Sequence, residues 1–215
     1  MNINFKNKTI PVQRVFCIGR NYVAHVEELR NELPESPVVF FKPSQCLVAV
    51  GEKIAYPPHG RELHYEGELV VLVGKSGRAL SQTEARDFVG GLSLGLDLTL
   101  RDVQDQLKAK GLPWEKAKCF EQSAPIGDFI PFHEAMDLTN ISFTCRVNGE
   151  LRQEGHSSKM IFPIERLIVE LSKIWMLREG DLIYSGTPAG VGPLKKGDEI
   201  TLHSDLIGSF SWEII

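Results

Sequence analysis

The chain lacks the features that mark several large classes of protein. No apolar run approaches the roughly 18 residues that a membrane-spanning helix needs, and the start, MNINFKNKTIPVQ, has no continuous apolar segment like that of a signal peptide. No block of Lys and Arg interleaved with aromatic residues is present, and the formal net charge is −4. We therefore expect no nucleic-acid partner and no membrane association.

Cysteine is scarce. The four thiols, Cys17, Cys46, Cys119 and Cys145, lie far apart, and no two form a C-x-x-C pair. Structural zinc sites usually draw on such close pairs, and disulfides belong to oxidising compartments. The pattern favours reduced, buried thiols in a cytoplasmic protein.

Internal repeats and low-complexity linkers are also absent, so residues 1–215 are expected to form a single domain. Apolar runs predict strands at 15–19, 38–41, 69–73, 141–147, 182–186 and 199–203. The pair Asn148-Gly149 predicts a hairpin. Capping and periodicity predict helices at 81–91, which would close on glycines, at 101–111 and at 163–180. Many strands with few helices indicate an α+β fold built on a β-sandwich or rolled barrel.

Acidic residues are present at notable positions. In HYEGELVVLVG, residues 64–74, Glu66 and Glu68 stand two apart at the start of a buried strand, where both would share one face. Asp97 follows the Gly-punctuated strand GLSLGLDL. Three carboxylates suit a hard divalent cation, Mg²⁺ or Mn²⁺. The alternatives are a solvated strand end for the glutamates and a helix cap or surface acid for Asp97.

A second group lies in GRNYVAHVEELRNELPESP, residues 19–37. His25 and Glu28 stand at i,i+3 in a short helical segment, where the carboxylate can orient the imidazole as a general base. An exposed helix pair is the alternative. In GLPWEKAKCF, Lys116 or Lys118 could stabilise an anionic oxygen. In SGTPAGVGP, residues 185–193, backbone N–H groups and the Thr187 hydroxyl could bind a carboxylate.

Seven motifs together resemble the fumarylacetoacetate hydrolase family, from about residue 14 to the end. They are, in order, GRNYVAH, FFKPS, YEGELVVLVG, LGLDLTLRDVQ, GLPWEKAK, VNGELRQEG and SGTPAGVGP. The likeness is strongest to the short, single-domain branch of acylpyruvate hydrolases and oxaloacetate decarboxylases. Val23-Ala24 stands where the family often has Ala-Asp, and Ser185 where it often has Thr. Both departures bear on the lid or on substrate preference.

The resemblance implies a mixed β-sandwich roll with a few short helices, assembled as a homodimer. It also implies a role for each matching position. Glu66, Glu68 and Asp97 would hold Mg²⁺ or Mn²⁺. His25 and Glu28 would activate water, and Lys118 would stabilise an enolate. The substrate would contact Arg101, Gln104 and Thr187.

The implied activity is metal-dependent hydrolysis of the C–C bond of an acylpyruvate, such as acetylpyruvate or fumarylpyruvate, through a metal-bound enolate. The alternative is decarboxylation of oxaloacetate or isomerisation of an oxo-diacid in the same site. A metal-binding scaffold without catalysis is a third possibility, against which the presence of both His25 and Glu28 argues. In each enzymatic case the partner is a small 2-oxo acid.

Overall fold

The computed structural model describes residues 1–215 and consists mainly of strands. The strands are β1 Asn2–Phe5, β2 Lys8–Pro11, β3 Val15–Gly19, β4 Val38–Lys42, β5 Leu47–Ala49, β6 Leu63–Tyr65, β7 Gly67–Val73, β8 Val89–Leu96, β9 Thr99–Leu100, β10 Ala124–Ile126, β11 Ile130–Pro131, β12 Ser142–Val147, β13 Glu150–His156, β14 Leu182–Tyr184, β15 Gly192–Pro193, β16 Glu199–Ser204 and β17 Gly208–Glu213. The α-helices are α1 Val23–Glu28, α2 Gln82–Arg86, α3 Arg101–Ala109, α4 Glu115–Lys118 and α5 Ile164–Ile174. Two 3₁₀ turns cover Ser44–Cys46 and Ser157–Lys159.

The largest sheet is mixed and runs in the order β4-β3-β14-β7-β8-β10-β5, with β11 also paired to β8. Strand β14 lies parallel to β3 and antiparallel to β7. A second, antiparallel sheet has the order β13-β12-β16-β17, and small sheets join β15-β6-β9 and β1-β2. The expected α+β fold, a curled mixed sheet with a few short helices, is confirmed. None of the helices has the length and apolar character needed to cross a bilayer.

Strand β7 lies at the centre of this arrangement, and all seven of its residues are buried. Because side chains alternate along a strand, Leu69 and Val71 enter the larger hydrophobic core, whereas Val70 and Leu72 enter a smaller one behind the sheet. Cover on both faces explains why this strand has an unbroken apolar run in place of an alternating one.

The predicted hairpin is present between β12 and β13. Asn148 and Gly149 have φ of 52° and 79°, the left-handed pair that a tight two-residue turn requires. Thr144 of β12 pairs with His203 of β16, and this sheet covers the larger core.

Two helix predictions need correction. Helix α2 begins as expected, with the Ser81 hydroxyl accepting from the Glu84 N–H at 3.2 Å, but it ends at Arg86 and the glycines after it belong to β8. A Cβ on Gly90 would lie 2.7 Å from the Cα of Gly74, so glycine serves close strand packing there. Helix α5 ends at Ile174, which is exposed, and does not continue toward residue 180.

Candidate active site

The register of β7 and β8 brings the three predicted carboxylates together. Glu68 pairs with Gly95, and two residues along the ladder the Asp97 N–H donates to the Glu66 carbonyl at 2.8 Å. One oxygen from each of Glu66, Glu68 and Asp97 lies within 4.8 Å of the others, and all three residues are buried. A slip of one residue would move a carboxylate to the opposite face, so the register that packs β7 also assembles this cluster.

Two of the expected cations contact Glu66. Lys118, at the end of α4, donates to Glu66 Oε2 at 2.8 Å and to Asp97 Oδ2 at 2.7 Å. Arg101, at the start of α3, forms an ion pair with Glu66 Oε1. Burial alone would raise the pKa of Glu66, but Lys118 and Arg101 together hold it well below its usual range. Burial lowers the pKa of Lys118, whereas Asp97 and Glu66 raise it to a net value above the ordinary one.

Glu68 lacks such a partner. It is 1% exposed and takes part in no ion pair, and its Oε2 accepts only the Gly186 N–H, at 2.8 Å. Burial, and then the charges of Asp97 and Glu66, raise the pKa of Glu68 well above its usual range. The cluster therefore lacks positive charge on the side of Glu68.

Asp97 shows the same deficit. Its Oδ1 lies 2.9 Å from the Lys42 ammonium but accepts no hydrogen bond, since the three hydrogens of Lys42 are used elsewhere. A buried oxygen without a donor and a buried carboxylate without a cation fit a divalent ion bound among three hard oxygen ligands.

Lys42 is the principal residue that sequence reasoning missed. Its ammonium donates to the carbonyls of Leu98, Lys118 and Ser123 at 2.5 to 3.0 Å. Those bonds fix the chain around Asp97. The signal was a lysine directly after the apolar strand in FFKPS, since a charged residue in that place is rarely buried unless it is paired.

The predicted His25–Glu28 pair is formed on α1. His25 Nδ1 lies 3.3 Å from Glu28 Oε2, and Glu28 Oε1 accepts the Gly190 N–H at 3.0 Å. His25 is buried, and this burial outweighs the nearby carboxylates and lowers its pKa below 6.5. A neutral imidazole oriented by a carboxylate is the protonation state that a general base needs at neutral pH.

His25, Lys118 and Glu66 line one narrow cavity together with the expected substrate contacts Arg101 and Gln104. Arg101 donates to Gln104 Oε1 at 2.5 Å, so the two side chains on α3 hold each other in place. The alternative lysine, Lys116, is exposed and does not line this cavity.

The glycine- and proline-rich loop lies beside the carboxylates, but Thr187 makes a different contact from the one expected. Its hydroxyl donates to the Gly67 carbonyl at 2.9 Å and accepts from Gln153 Nε2 at 2.8 Å. Gln153 also bonds to the Gly67 N–H and the Pro188 carbonyl. The hydroxyl thus joins the loop to the start of β7, and its direct contact with substrate stays a prediction.

Tyr22 is a further buried polar group that the sequence did not single out. Its hydroxyl has no hydrogen-bond partner, and burial followed by the charge of Glu68 raises its pKa. It therefore stays protonated and available as a donor near Glu68.

Comparison with known proteins agrees with this geometry. Residues 14–214 match the family described as fumarylacetoacetate (FAA) hydrolase C-terminal. The chain is 48% identical over 203 residues to the Bos taurus protein named oxaloacetate tautomerase FAHD1, mitochondrial, covering 94% of this chain and 92% of that one. It is 41% identical over 189 residues to an oxaloacetate decarboxylase, mitochondrial, of Dictyostelium discoideum, covering 87% of each.

Among solved structures, the fold matches that of fumarylpyruvate hydrolase from Pseudomonas aeruginosa in complex with Mn²⁺ and pyruvate. The TM-score is 0.94 at 36% sequence identity, over 100% of this chain and 95% of the other. The match to the family extends over nearly the whole chain and includes every residue of the carboxylate cluster and the cavity beside it. The chain belongs to the fumarylacetoacetate hydrolase family and is an enzyme.

Proposed function

We propose that this enzyme acts on oxaloacetate and catalyses the interconversion of its enol and keto forms with Mg²⁺ or Mn²⁺. The observation that carries the proposal is the shared cavity, in which a neutral His25 and Lys118 lie beside Glu66, one of the three carboxylates of the cluster. The relatives named for oxaloacetate favour this substrate over the acylpyruvates expected first.

The residues divide the chemistry between them. Glu66, Glu68 and Asp97 would hold the divalent ion, which supplies Lewis-acid polarisation of a 2-oxo acid when bound. His25, neutral and oriented by Glu28, would take the proton from C3 of the keto form and return it in the reverse direction. Lys118 would stabilise negative charge on the C2 oxygen. Arg101 and Gln104 would orient the substrate, and Thr187 would hold the loop beside it.

Decarboxylation passes through the same charge distribution, since loss of the distal carboxylate also leaves negative charge spread over C3 and the C2 oxygen. The site can therefore release CO₂ from oxaloacetate without an attacking water. A second candidate is hydrolysis of fumarylpyruvate, which the similarity to the Pseudomonas aeruginosa hydrolase favours. That reaction adds one requirement, water activated by His25 and Glu28.

The test compares three reactions in one preparation. The decay of enol-oxaloacetate absorbance is followed with Mg²⁺, with Mn²⁺ and with EDTA, and pyruvate release is measured from oxaloacetate, fumarylpyruvate and acetylpyruvate. We expect the highest kcat/KM for tautomerisation, with EDTA abolishing it. Faster pyruvate release from fumarylpyruvate, with no acceleration of enol decay above the buffer rate, would establish the second candidate instead.

The homodimer is also a proposal, supported by the family resemblance and by apolar side chains at the open edge of the large sheet. Strand β4 ends that sheet, and Phe41 on it is exposed and packs against Trp175, with ring centroids 5.2 Å apart. The neighbours of Trp175 in sequence, Ile174 and Met176, are exposed as well. Light scattering on the purified protein tests it, with twice the 24.1 kDa chain mass as the expected result.

The cytoplasmic location remains an expectation, and the bovine relative is named as mitochondrial.

A further inference from the structure

Two positive charges in the substrate cavity have no anionic partner. The lining includes Arg101 and Lys118, both paired with Glu66, and also Arg20 and Lys108. Neither Arg20 nor Lys108 forms an ion pair or a side-chain hydrogen bond within the chain. Glu66 is the only carboxylate in the lining, where it contacts Arg101 and Lys118, and Lys118 also contacts Asp97 behind it. Arg20 and Lys108 are therefore the two cations of the lining that have no carboxylate partner.

Lys108 is placed by the same helix face that carries the expected substrate contacts. Arg101, Gln104 and Lys108 stand at i, i+3 and i+7 on α3, which puts them in one stripe along the helix. The Lys108 ammonium lies 5.7 Å from the centre of the Trp114 ring, whose face holds it at the cavity wall. Burial, and next the charge of Arg101, lower the pKa of Lys108, as expected for a cation among other cations.

Arg20 is placed by a constrained turn after β3. Its φ is 59°, a left-handed conformation that costs a residue with a Cβ roughly 1 kcal/mol or more. The next residue, Asn21, anchors the turn through its side chain. It donates to the Phe162 and Ser185 carbonyls at 3.1 and 2.7 Å and accepts the Phe162 N–H at 2.8 Å. These bonds maintain a turn that directs Arg20 to the cavity.

We propose that Arg20 and Lys108 form a subsite for the second carboxylate of a dianionic 2-oxo acid. The subsite makes the enzyme select dicarboxylates over monocarboxylates of the same length, and it rests on the proposed function in taking the cavity as the substrate site. The guanidinium offers a fork of N–H donors that matches a carboxylate, and the ammonium adds a second charge on the α3 side. Trp114, Phe40 and Leu29 supply apolar walls around it.

Charge balance supports a dianion. Lys42, Lys118 and Arg101 equal the three carboxylates of the cluster in number, although all of their ion pairs are with Glu66 and Asp97 and none is with Glu68. A bound divalent ion therefore adds two uncompensated positive charges, and Arg20 and Lys108 add two more. A monoanionic substrate would leave most of this excess in place, whereas a dianion removes one charge at each end.

Equilibrium binding tests the subsite without relying on turnover. Malate and 2-hydroxybutyrate differ only in a terminal carboxylate or methyl group, and oxalate carries the chelating end alone. Their Kd values are measured by calorimetry on the Mg²⁺-loaded protein and on Arg20→Met and Lys108→Met, which remove the charge but keep an unbranched apolar side chain. Lys110→Met is the matched control, since Lys110 is exposed at the C-terminal end of α3.

We expect the wild type to prefer malate by about 10- to 100-fold, the usual contribution of a hydrogen bond between charged groups. Arg20→Met and Lys108→Met should each lower that ratio about tenfold with oxalate binding within about twofold, and Lys110→Met should leave the ratio unchanged. No preference for malate in the wild type, or an equal loss of oxalate binding in either variant, would overturn the subsite. A retained preference with no tautomerase activity would instead refute the proposed reaction alone.

Discussion

The two sides of the cavity are built differently. The sheet side is formed by Glu68 on β7, by Glu66 directly before β7 and by Asp97 directly after β8. The two strands pair along nearly their whole length, and the three residues are at most 5% exposed. The helix side, formed by His25 and Glu28, lies on a helix of six residues without a side-chain N-cap. The Glu28 side chain is 32% exposed.

This difference suits the sheet side to binding a metal ion and the helix side to opening for the substrate. A carboxylate cluster fixed by a central strand can keep its geometry with or without bound ligands, as a metal site requires. A six-residue helix has few bonds of its own, and only His25 and Val26 of α1 are buried. Its polar ties to the rest of the chain include the Glu28–Gly190 hydrogen bond and a bridge between Tyr22, directly before it, and Met160. We infer that substrate enters and leaves on the helix side.

The largest expected effect comes from removing a charged ligand from the carboxylate cluster on the sheet side. Glu68→Gln keeps the shape of the side chain but removes a charged ligand, so turnover should fall to background. Affinity for Mn²⁺, measured by calorimetry, should fall by more than the roughly 10- to 100-fold typical of outer-shell changes. Glu62→Gln, an exposed position on the same stretch, is the control. Full activity of Glu68→Gln in EDTA would remove the metal from the mechanism.

The next effect compares the two sides directly. His25→Ala should slow tautomerisation and any fumarylpyruvate hydrolysis by about 10²- to 10⁴-fold, the usual contribution of a positioned general base. Decarboxylation needs neither an attacking water nor removal of a C3 proton, so His25→Ala should retain far more of it. Lys118→Ala should damage all three reactions, because each develops charge on the same oxygen.

Ratios of activities within each variant provide the measurement, since losses of folded protein or bound metal cancel in a ratio. Lys116→Ala is the matched control for Lys118→Ala, because Lys116 is exposed and outside the cavity. Equal losses of all three reactions in His25→Ala would mean that His25 acts through closure of the helix side and not through proton transfer.

The same contrast explains what the sequence could predict. The apolar run of β7, the two-residue hairpin and the i,i+3 spacing of His25 and Glu28 are local patterns, and each appears in the structure where it was expected. Glu66 and Glu68 could be grouped because they stand at the start of one buried strand, and Asp97 was a candidate third ligand because it follows another strand. Spacing alone did not show that Asp97 meets the glutamates, and the family resemblance supported that grouping.

Long-range contacts were beyond such patterns. No local sequence pattern shows that the Lys42 ammonium donates to three carbonyls distant in sequence, or that the Thr187 hydroxyl donates to the Gly67 carbonyl. The end of α5 was also missed, because the apolar stripe extends to Ile174 and Trp175 although the helix does not continue beyond Ile174. The hydrogen-bond partners of Lys42 and Thr187 and the last residue of α5 are all determined by tertiary packing.

A smaller effect is expected in the dynamics of the helix side. The cavity has a volume of about 30 Å³, room for about two waters, so a four-carbon acid requires movement of α1. Saturating oxalate should slow hydrogen exchange of amides in residues 23–36 by about tenfold or more. Amides of β7 serve as the internal reference, since this strand is buried and paired on both sides, which should protect its amides with or without ligand. Exchange in 23–36 that is unchanged by oxalate would contradict an opening on this side.

The smallest effect concerns the stability of the metal-free sheet side. The pKa of Glu68 lies well above 4.5 because of burial and the charges of Asp97 and Glu66. A carboxyl with a higher pKa in the folded state binds more protons when folded. Its stabilising contribution is fully present below pH 4.5 and is lost as the pH rises through the folded-state pKa. Each unit of pKa difference between the folded and unfolded states corresponds to about 1.4 kcal/mol.

Glu68→Gln removes this titration, so in EDTA the variant should gain stability relative to the wild type as the pH rises from 4.5 to 8. Urea unfolding of both proteins at several pH values measures the difference, which includes the change in the titration of Glu66 when the neighbouring charge of Glu68 is removed. Saturating Mg²⁺ should reverse the order, since the ion binds the folded wild type and removes the repulsion at Glu68. A stability difference that is independent of pH and of Mg²⁺ would show that Glu68 is not the strained carboxylate of this site.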